Sequence, residues 1–168
     1  MEASTINQFI STGSALAGLI IGGAINYFVV NRSEKARILR ETKSVEAGLV
    51  AEVSALLQIS YKRDYLGEFY EILGELQHSA GLSYSIKIKF PGNIAPFYHA
   101  NIDKISLLSN DKVSDIIFYH QLLTSFTQDF HPESAINEIG FTIESIKATI
   151  EILEEIHALS ERIIAWNQ

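Results

Sequence analysis

The chain has 168 residues, 47% of them hydrophobic and 20% charged, and carries a formal net charge of −7. This length allows one domain of ordinary size together with a membrane anchor. Cysteine is absent from the sequence, which excludes disulfide bonds and cysteine-ligated metal as sources of stability. An apolar core must therefore hold the fold together.

Charge is segregated along the chain into three blocks. Residues 1–31 contain one charged side chain, Glu2, whereas residues 32–44 carry a net charge of +3 and residues 45–168 a net charge of −9. Such segregation indicates three environments. We predict an N-terminal tail and transmembrane helix over 1–31, a basic juxtamembrane linker or helix over 32–44, and a cytoplasmic helical domain over 45–168.

The segment Phe9–Val30 is apolar or small apart from Asn26 and a few hydroxyls. Its 22 residues would reach roughly 33 Å as a helix, close to the thickness of about 30 Å of a hydrocarbon core. A buried helix of a soluble domain and a cleaved signal peptide are the alternatives. Basic residues follow the apolar run instead of preceding it, which favours an uncleaved anchor.

A basic cluster directly after this segment sets the predicted orientation. Its members are Arg32, Lys35, Arg37, Arg40 and Lys43. Positive charge in a flanking loop stays on the cytoplasmic side. We therefore expect a single-pass protein of the inner (cytoplasmic) membrane, with its N-terminus outside, its domain in the cytoplasm, and this cluster against anionic lipid head groups.

Small residues recur at a spacing of four within the apolar segment. They are Ser14, Gly18 and Gly22, and Asn26 continues the row. This spacing allows two membrane helices to approach closely, and the amide could hydrogen-bond across the contact. We predict self-association of the anchor and hence a homo-oligomer; the alternative is that these residues face lipid.

Helical spacing of apolar residues continues into the domain. Over 33–60 the residues at spacings of three and four are Ile38, Leu39, Val45, Leu49, Val53, Leu56 and Leu57. A second helix is predicted from about Asp64 to Leu76, ending near His78–Gly81. The inner face of this second helix would be formed by Leu66, Phe69, Tyr70, Leu73 and Leu76.

The period then changes to two over Ser83–Phe90, which indicates a short strand. A lone strand makes no sheet, so this segment must pair with a symmetry mate, lie as an extended clip, or have another structure. A short helix or helical turn is expected over Phe97–Leu108. A further helix would be capped by Asn110 or Asp111 and run through Phe130.

Pro132 is predicted to open the last helix, which would run to about Trp166. An apolar seam spaced 4-3-4-3 lies along it, formed by Ile139, Ile143, Ile146, Ile150 and Leu153. Isoleucine at both seam positions favours a coiled coil of three or four strands. Packing of the same helix inside its own monomer is the alternative. The predicted fold class is mainly α: one transmembrane helix plus a cytoplasmic helical bundle with at most a short extended segment.

No catalytic motif occurs in the sequence. It has no P-loop, dinucleotide fingerprint, HExxH or nucleophile elbow. Its five histidines (His78, His99, His120, His131 and His157) are not paired at ligand spacing. We therefore predict no catalytic residues, no metal and no cofactor. Duplex nucleic acid is not expected as a partner either, because the acidic domain lacks a broad basic surface.

One group of residues is typical of a site for a small anionic ligand. It combines lysines with amides and an imidazole: Lys87, Lys89, Asn93, His99, Asn101 and Lys104. Lysines with hydrogen-bonding and stacking neighbours can hold a phosphate-bearing ligand. The alternative is a solvated strand face with aromatic core residues behind it.

Two segments carry a resemblance to known proteins. They are Leu49–Leu73, with its AEVSALL stretch, and Phe90–Tyr119, with its FYHAN, DKISLLS and IIFY runs. Together they resemble small bacterial proteins with one membrane span and a cytoplasmic helical domain. Some similar anchored proteins are ancillary effectors of anti-phage systems, including type III CRISPR, triggered by a cyclic oligoadenylate. The resemblance implies such a plan in architecture only.

The sequence thus leads to a functional hypothesis with an alternative. The main hypothesis is a membrane-anchored, homo-oligomeric, non-enzymatic sensor-effector. It would bind a small anionic ligand, with a cyclic oligonucleotide as candidate, and act on the membrane in anti-phage defence. The alternative is a membrane adaptor that tethers a cytoplasmic protein partner. A membrane-bound hydrolase would require a site that no motif reveals.

Overall fold

A computed structural model describes the backbone of residues 2–78, 83–86, 88 and 90–167. Side chains are described within these ranges from residue 26 onward, except at 135 and 167. The chain divides into two compact units, Met1–Lys43 and Ser44–Gln168. The described elements are helices, which confirms the mainly α fold class.

The first unit is formed by residues of helix α1, whose bounds are Glu2–Arg63. Side chains at residues 26–40 are all exposed, including those of Ile38 and Leu39. An ion pair joins Arg37 to Glu34 one turn earlier, with 2.6 Å between Nη2 and Oε1. Within the part of the chain that was described, no helix is apolar over a length sufficient to cross a bilayer. Within the predicted span Phe9–Val30, the side chains of residues 9–25 lie outside the described part of the structure.

The second unit begins with the C-terminal part of α1. Val45, Leu49 and Val53 recur every four residues and are buried, because this spacing places them on one face of a helix. The helix ends at Arg63, and Asp64 takes a left-handed conformation with a φ of 49°. Aspartate tolerates this region better than most residues, so Asp64 turns the chain into the next helix.

Helix α2 spans Tyr65–His78, close to the predicted bounds. Phe69 and Leu76 are buried as expected. Tyr70, predicted on the inner face, is instead 48% exposed. Its hydroxyl donates to the carboxylate of Glu154 over 2.6 Å. A tyrosine with an apolar ring and a polar tip suits such a position at the edge of the core.

The predicted strand is an extended segment that makes an isolated β-bridge. Tyr84 and Phe141 exchange both backbone hydrogen bonds, over 3.2 and 2.7 Å. No strand occurs among the residues that the structure describes. Of the three alternatives for Ser83–Phe90, the described residues therefore fit the extended clip.

Helices follow the extended segment as the sequence predicts. Helix α3 spans Pro96–Ala100, a 3-10 helix spans Ile102–Leu107, and helix α4 spans Asn110–Asp129. The predicted cap of α4 is wrong: Ser109 occupies the N-cap, and its side chain makes no capping hydrogen bond. Asn110 is already the first helical residue, so it cannot precede the helix as a cap.

The last helix begins later than predicted. A short helix α5 spans Ala135–Ile139, and the long helix α6 spans Ile143–Ile164. Between them Gly140 has a φ of 89°, a conformation that interrupts a helix. Thr142 then caps α6 in a reciprocal capping box with Ser145, whose paired hydrogen bonds satisfy two free N–H groups.

The apolar seam of this region packs inside the unit. Ile146, Ile150 and Leu153 are buried in its core. Ile139 lies in α5 instead of α6 and is 66% exposed, so the predicted two-heptad seam is interrupted. A 3-10 helix over Ala165–Asn167 ends the described chain.

Helix α6 packs against α2 and α4, and aromatic rings fill the space that they enclose. The rings contact one another with centroids 5.2–6.2 Å apart and belong to Phe69, Phe90, Phe126, Phe130 and Phe141. Such distances are favourable for aromatic pairs. Phe90 brings the extended segment into this cluster and so fixes one wall of a cavity.

Candidate ligand pocket

A cavity of about 330 Å³ lies within the second unit. This volume is at the lower end of the range of about 300–1,000 Å³ that is typical of small-molecule sites. Its walls come from α1, the start of α2, the segment 90–94, α4 and α6. They are mainly apolar: Leu56, Leu57, Ile59, Tyr65, Phe90, Pro91, Ile94, Leu123, Phe126, Leu153 and Ile156.

A hydrogen-bonded pair supplies polar atoms to this wall. Ser60 on α1 and His157 on α6 join their Oγ and Nε2 atoms over 2.8 Å. They are 9% and 8% exposed, and both line the cavity. The ring of Tyr61 packs edge-on against His157, with centroids 4.9 Å apart. The imidazole is therefore held in place by a hydrogen bond and by an aromatic contact.

The charge state of His157 follows from its surroundings. Burial lowers the pKa of this imidazole, and Glu161 and Glu154 on the same helix oppose the effect. A neutral imidazole has one donor and one acceptor nitrogen. In the tautomer with its proton on Nδ1, Nε2 accepts the hydrogen bond that the Ser60 hydroxyl donates.

Arg63 provides a cation at the same cavity. It follows Ser60 by three residues on α1, which places both side chains on one face, and both line the cavity. Arg63 is exposed and makes no ion pair or side-chain hydrogen bond with any described residue. Arg162, by contrast, binds Asp115 through two hydrogen bonds. No described residue therefore occupies the N–H donors of the Arg63 guanidinium, and an anion could accept hydrogen bonds from them.

Tyr119 contributes a neutral phenol to the cavity lining. Its side chain is 1% exposed. Burial raises the pKa of Tyr119 to about 12, because the phenolate would lose its hydration. The hydroxyl thus stays protonated at neutral pH, and Arg63 and His157 remain the only residues of the described lining that carry or take up a positive charge.

A second, more open groove of about 870 Å³ shares Phe90 and Pro91 with the cavity. Its remaining lining residues are Ile88, Gly92, Thr127, Gln128, Phe130, His131, Pro132 and Asn137. No lysine or arginine belongs to the described lining of this groove. Arg63 has no counterpart among these described lining residues.

Four residues of the ligand site predicted from the sequence can be located in the structure. Asn93 accepts a hydrogen bond from the backbone N–H of Ala95 over 3.3 Å, and Asn101 donates to the carbonyl of Phe97 over 2.9 Å. His99 is exposed and Lys104 half-buried. These four predicted residues lie within or next to α3 in the chain, and none of them lines the cavity.

Lys87 and Lys89 lie outside the described residues. The predicted anion site that includes them therefore stays a prediction. Both described amides already serve the local backbone, which gives each a structural role. Among the described residues, no group of three or more His, Asp or Glu side chains is arranged to hold a metal ion.

The structure describes the side chains of only some of the residues predicted to act at the membrane. Ser14, Gly18 and Gly22 lie outside the described side chains, whereas Asn26 is exposed. The cations predicted to contact lipid head groups are all exposed: Arg32, Lys35, Arg37, Arg40 and Lys43. Self-association and lipid contact both stay predictions.

Sequence reasoning missed Ser60 and Arg63 and treated His157 as one of several scattered histidines. Ser60 and His157 are separated by 97 positions, and no local pattern links such distant residues. Ser60 ended the helix predicted over 33–60, and Arg63 lay beyond it, so the spacing of three between them became visible only once α1 was seen to extend to Arg63. No protein-family model, curated protein or solved structure matches this chain.

Proposed function

We propose that this chain is a membrane-anchored receptor whose helical unit binds one small anionic amphiphile. The observation that carries the proposal is the apolar cavity of about 330 Å³ with Arg63, which pairs with no described residue, in its lining. An apolar wall favours a hydrocarbon body, since burial of apolar surface is favourable. A guanidinium without a partner favours a carboxylate or phosphate at the end of that body.

The charge of the cavity limits the ligand. A cyclic oligonucleotide carries one phosphate per nucleotide, whereas Arg63 is the one lysine or arginine in the described lining. Several phosphates beside one guanidinium and an apolar wall would remain poorly compensated. We therefore assign a singly or doubly charged amphiphile to the cavity. A cyclic oligoadenylate at Lys87, Lys89 and Lys104 is a separate prediction, as is a role in anti-phage defence.

The membrane part of the proposal is supported by the sequence. Residues 3–31 carry no charge, and five basic side chains follow within 32–44. We propose an uncleaved anchor with its N-terminus outside the inner membrane and the receptor unit in the cytoplasm. The recurrence of Ser14, Gly18, Gly22 and Asn26 supports a homo-oligomer formed through this anchor.

Membrane insertion is tested by alkaline carbonate extraction of cell membranes. We expect the full chain to stay in the membrane pellet and a Leu19→Arg/Ile20→Arg variant to move largely to the supernatant. Two arginines near the centre of a span disfavour insertion by about 5–7 kcal/mol. Leu39→Arg is the control, because Leu39 lies in the exposed basic segment. Extraction of the unchanged chain into the supernatant would contradict the anchor.

Ligand binding is tested by photo-crosslinking of the full chain in lipid nanodiscs with a diazirine analogue of decanoic acid. We expect mass spectrometry to find label on the cavity residues of α1 and α6. Decanoate and decyl phosphate should compete, whereas decanol should compete about tenfold more weakly, since a charge-assisted hydrogen bond contributes about 1.5–3 kcal/mol. Cyclic tetra-adenylate should not compete.

Arg63→Gln tests the charge, and Lys62→Gln is its matched control. Both residues are exposed cations at the end of α1, but only Arg63 lines the cavity. We expect Arg63→Gln to weaken competition by decanoate about tenfold and Lys62→Gln to leave it unchanged. Labelling spread over the protein surface, or equal effects of the two variants, would contradict the receptor and favour the adaptor alternative.

A further inference from the structure

We infer that Ser60 and His157 act as a nucleophile and general base that cleave an acyl ester bound in the cavity. This inference rests on the proposed function, because the substrate is an anionic amphiphile of the kind proposed there and carries an acyl ester. It adds a chemical reaction to a site for which binding alone was proposed.

The geometry of the pair meets the first requirement of such a reaction. The Oγ and Nε2 atoms are 2.8 Å apart, within the range of about 2.6–3.2 Å over which a base can take the proton of a nucleophile. Both residues belong to long helices, α1 and α6, so the pair has rigid supports. Both also line the apolar cavity of about 330 Å³. The carbonyl carbon of a substrate bound there could therefore approach Oγ.

The surroundings of His157 suit a base. Tyr61 packs its ring edge-on against the imidazole, and burial favours the neutral form that can accept a proton. The charged groups that act on it are Glu154 and Glu161 from its own helix. Their carboxylates stabilise the imidazolium that forms once the proton has moved.

The reaction proceeds in two balanced steps. In the first, Oγ of Ser60 bonds to the ester carbonyl carbon while its proton passes to Nε2 of His157. The carbon–oxygen bond to the alcohol then breaks, and the alcohol leaves with that proton. In the second, His157 takes a proton from water, whose oxygen bonds to the acyl carbon. The bond to Oγ breaks, Oγ recovers the proton, and a carboxylic acid leaves.

Arg63 defines the class of ester. One helical turn separates it from Ser60, a rise of about 4.5 Å along the axis. Because both residues line the same cavity, an anionic group at the guanidinium and a carbonyl at Ser60 can belong to one bound molecule. The substrate class is therefore a fatty acyl ester whose alcohol part carries a nearby phosphate or carboxylate. Monodecanoyl glycerol phosphate is a soluble probe of this class, and monodecanoyl glycerol is its uncharged counterpart.

The experiment uses the full chain in lipid nanodiscs and two readouts. A fluorophosphonate probe should label Ser60, which tandem mass spectrometry can locate. The same sample should release decanoate from monodecanoyl glycerol phosphate at least tenfold faster than from monodecanoyl glycerol. Ser60→Ala should abolish both signals, and His157→Gln should lower both by about 100-fold or more, the usual contribution of a general base.

Ser160→Ala is the matched control. Ser160 is another buried serine near the C-terminal end of α6, and its hydroxyl donates to the carbonyl of Ile156 over 2.7 Å. It does not line the cavity. We expect this variant to keep both labelling and decanoate release, which separates loss of the nucleophile from loss of a buried hydroxyl.

Photo-crosslinking of the same samples with the diazirine analogue separates the two proposals. Cavity labelling by the analogue, without fluorophosphonate labelling of Ser60 or without Ser60-dependent decanoate release, overturns the catalytic pair and leaves the receptor intact. Absence of all three signals overturns both. Labelling and release that persist in Ser60→Ala also overturn the pair. Loss of both in Ser60→Ala, with cavity crosslinking retained, supports it.

Discussion

Gly48 lies where the ring of Phe97 crosses α1. A Cβ atom added at Gly48 would clash with Cζ of that ring. The ring therefore requires the absence of a side chain at this position. The backbone N–H of Phe97 also donates to the carboxylate of Glu52 over 2.6 Å. Helix α1 therefore holds α3 by packing and by a charge-assisted hydrogen bond.

Gly48→Ala should consequently destabilise the protein by about 1–2 kcal/mol, because displacing the ring outweighs the gain in helix propensity. Gly74→Ala is the control, since Gly74 lies within α2 and an added Cβ would meet no atom within 4 Å. There we expect stabilisation by up to about 1 kcal/mol. Urea unfolding measures both, and stabilisation by both substitutions would contradict the packing of Phe97 on α1.

His120 is a buried titratable group that makes no hydrogen bond through Nε2 with the described residues. Its side chain is 5% exposed and stacks on Tyr98, with ring centroids 3.5 Å apart. Burial lowers the pKa of His120 from 6.5 to about 3, and nearby His99 contributes in the same direction. The unfolded chain therefore binds this proton more tightly than the folded protein does.

It follows that His120 destabilises the fold as the pH falls below about 6.5 and continues to do so down to about 3. The expected slope is about 1.4 kcal/mol per pH unit. His120→Phe keeps a ring and removes the titration. We expect its free energy of unfolding, measured in urea at pH 7, 5.5 and 4.5, to exceed that of the unchanged chain by an amount that grows with acidity. Parallel pH profiles would contradict this account.

At the scale of elements, Gly140 separates α5 from α6 and positions the extended segment. Its φ of 89° is a conformation that L side chains rarely adopt. A Cβ atom there would also lie 3.0 Å from the carbonyl oxygen of Tyr84, which accepts a hydrogen bond from Phe141. The break in the helix and the β-bridge thus depend on the same residue.

We expect Gly140→Ala to destabilise the protein by about 1–3 kcal/mol, the usual effect of strain at such a conformation. Hydrogen exchange of the amides of Tyr84 and Phe141, which form the bridge, should accelerate. Gly92→Ala is the control, because nothing lies within 4 Å of its added Cβ. Unchanged exchange at Phe141 in Gly140→Ala would show that the bridge does not need this glycine.

Periodicity predicted those elements whose buried residues follow one face. Val45, Leu49 and Val53 indicated the C-terminal part of α1, and Phe69 and Leu76 indicated α2. The start of α6 was missed because proline at a first turn and glycine in a helix are both tolerated, so neither Pro132 nor Gly140 fixed the boundary. The positive φ of Gly140 interrupts the helix, and an added Cβ there would meet Tyr84, a residue far along the chain that no local pattern links to Gly140.

The cavity was beyond sequence reasoning for the same physical reason. Its polar residues lie on α1 and α6, and the pairing of Ser60 with His157 depends on how these helices pack. Helix packing is set by many small side-chain contacts instead of a local motif. Lys87, Lys89 and Lys104, by contrast, lie close together along the chain. Such a local cluster can be recognised from one sequence.

At the scale of the whole molecule, the buried apolar side chains of the described chain all belong to Ser44–Gln168. The first of them is Val45, and no described side chain from residues 26–43 is buried. The described residues of the second unit thus form an apolar core of their own. Stability of the second unit should therefore come from its own helices.

Residues 44–168 expressed alone should unfold cooperatively in urea, with a free energy of unfolding of about 5–15 kcal/mol, typical of a natural domain. Residues 64–168 should fail to fold. They lack Val45, Leu49, Val53 and Leu57, each buried and each contributing about 1.5–3 kcal/mol. The summed loss is comparable with the whole stability. A cooperative transition in the shorter piece would show that α1 is not part of the core, and would remove the helix that supplies Ser60 and Arg63 to the cavity.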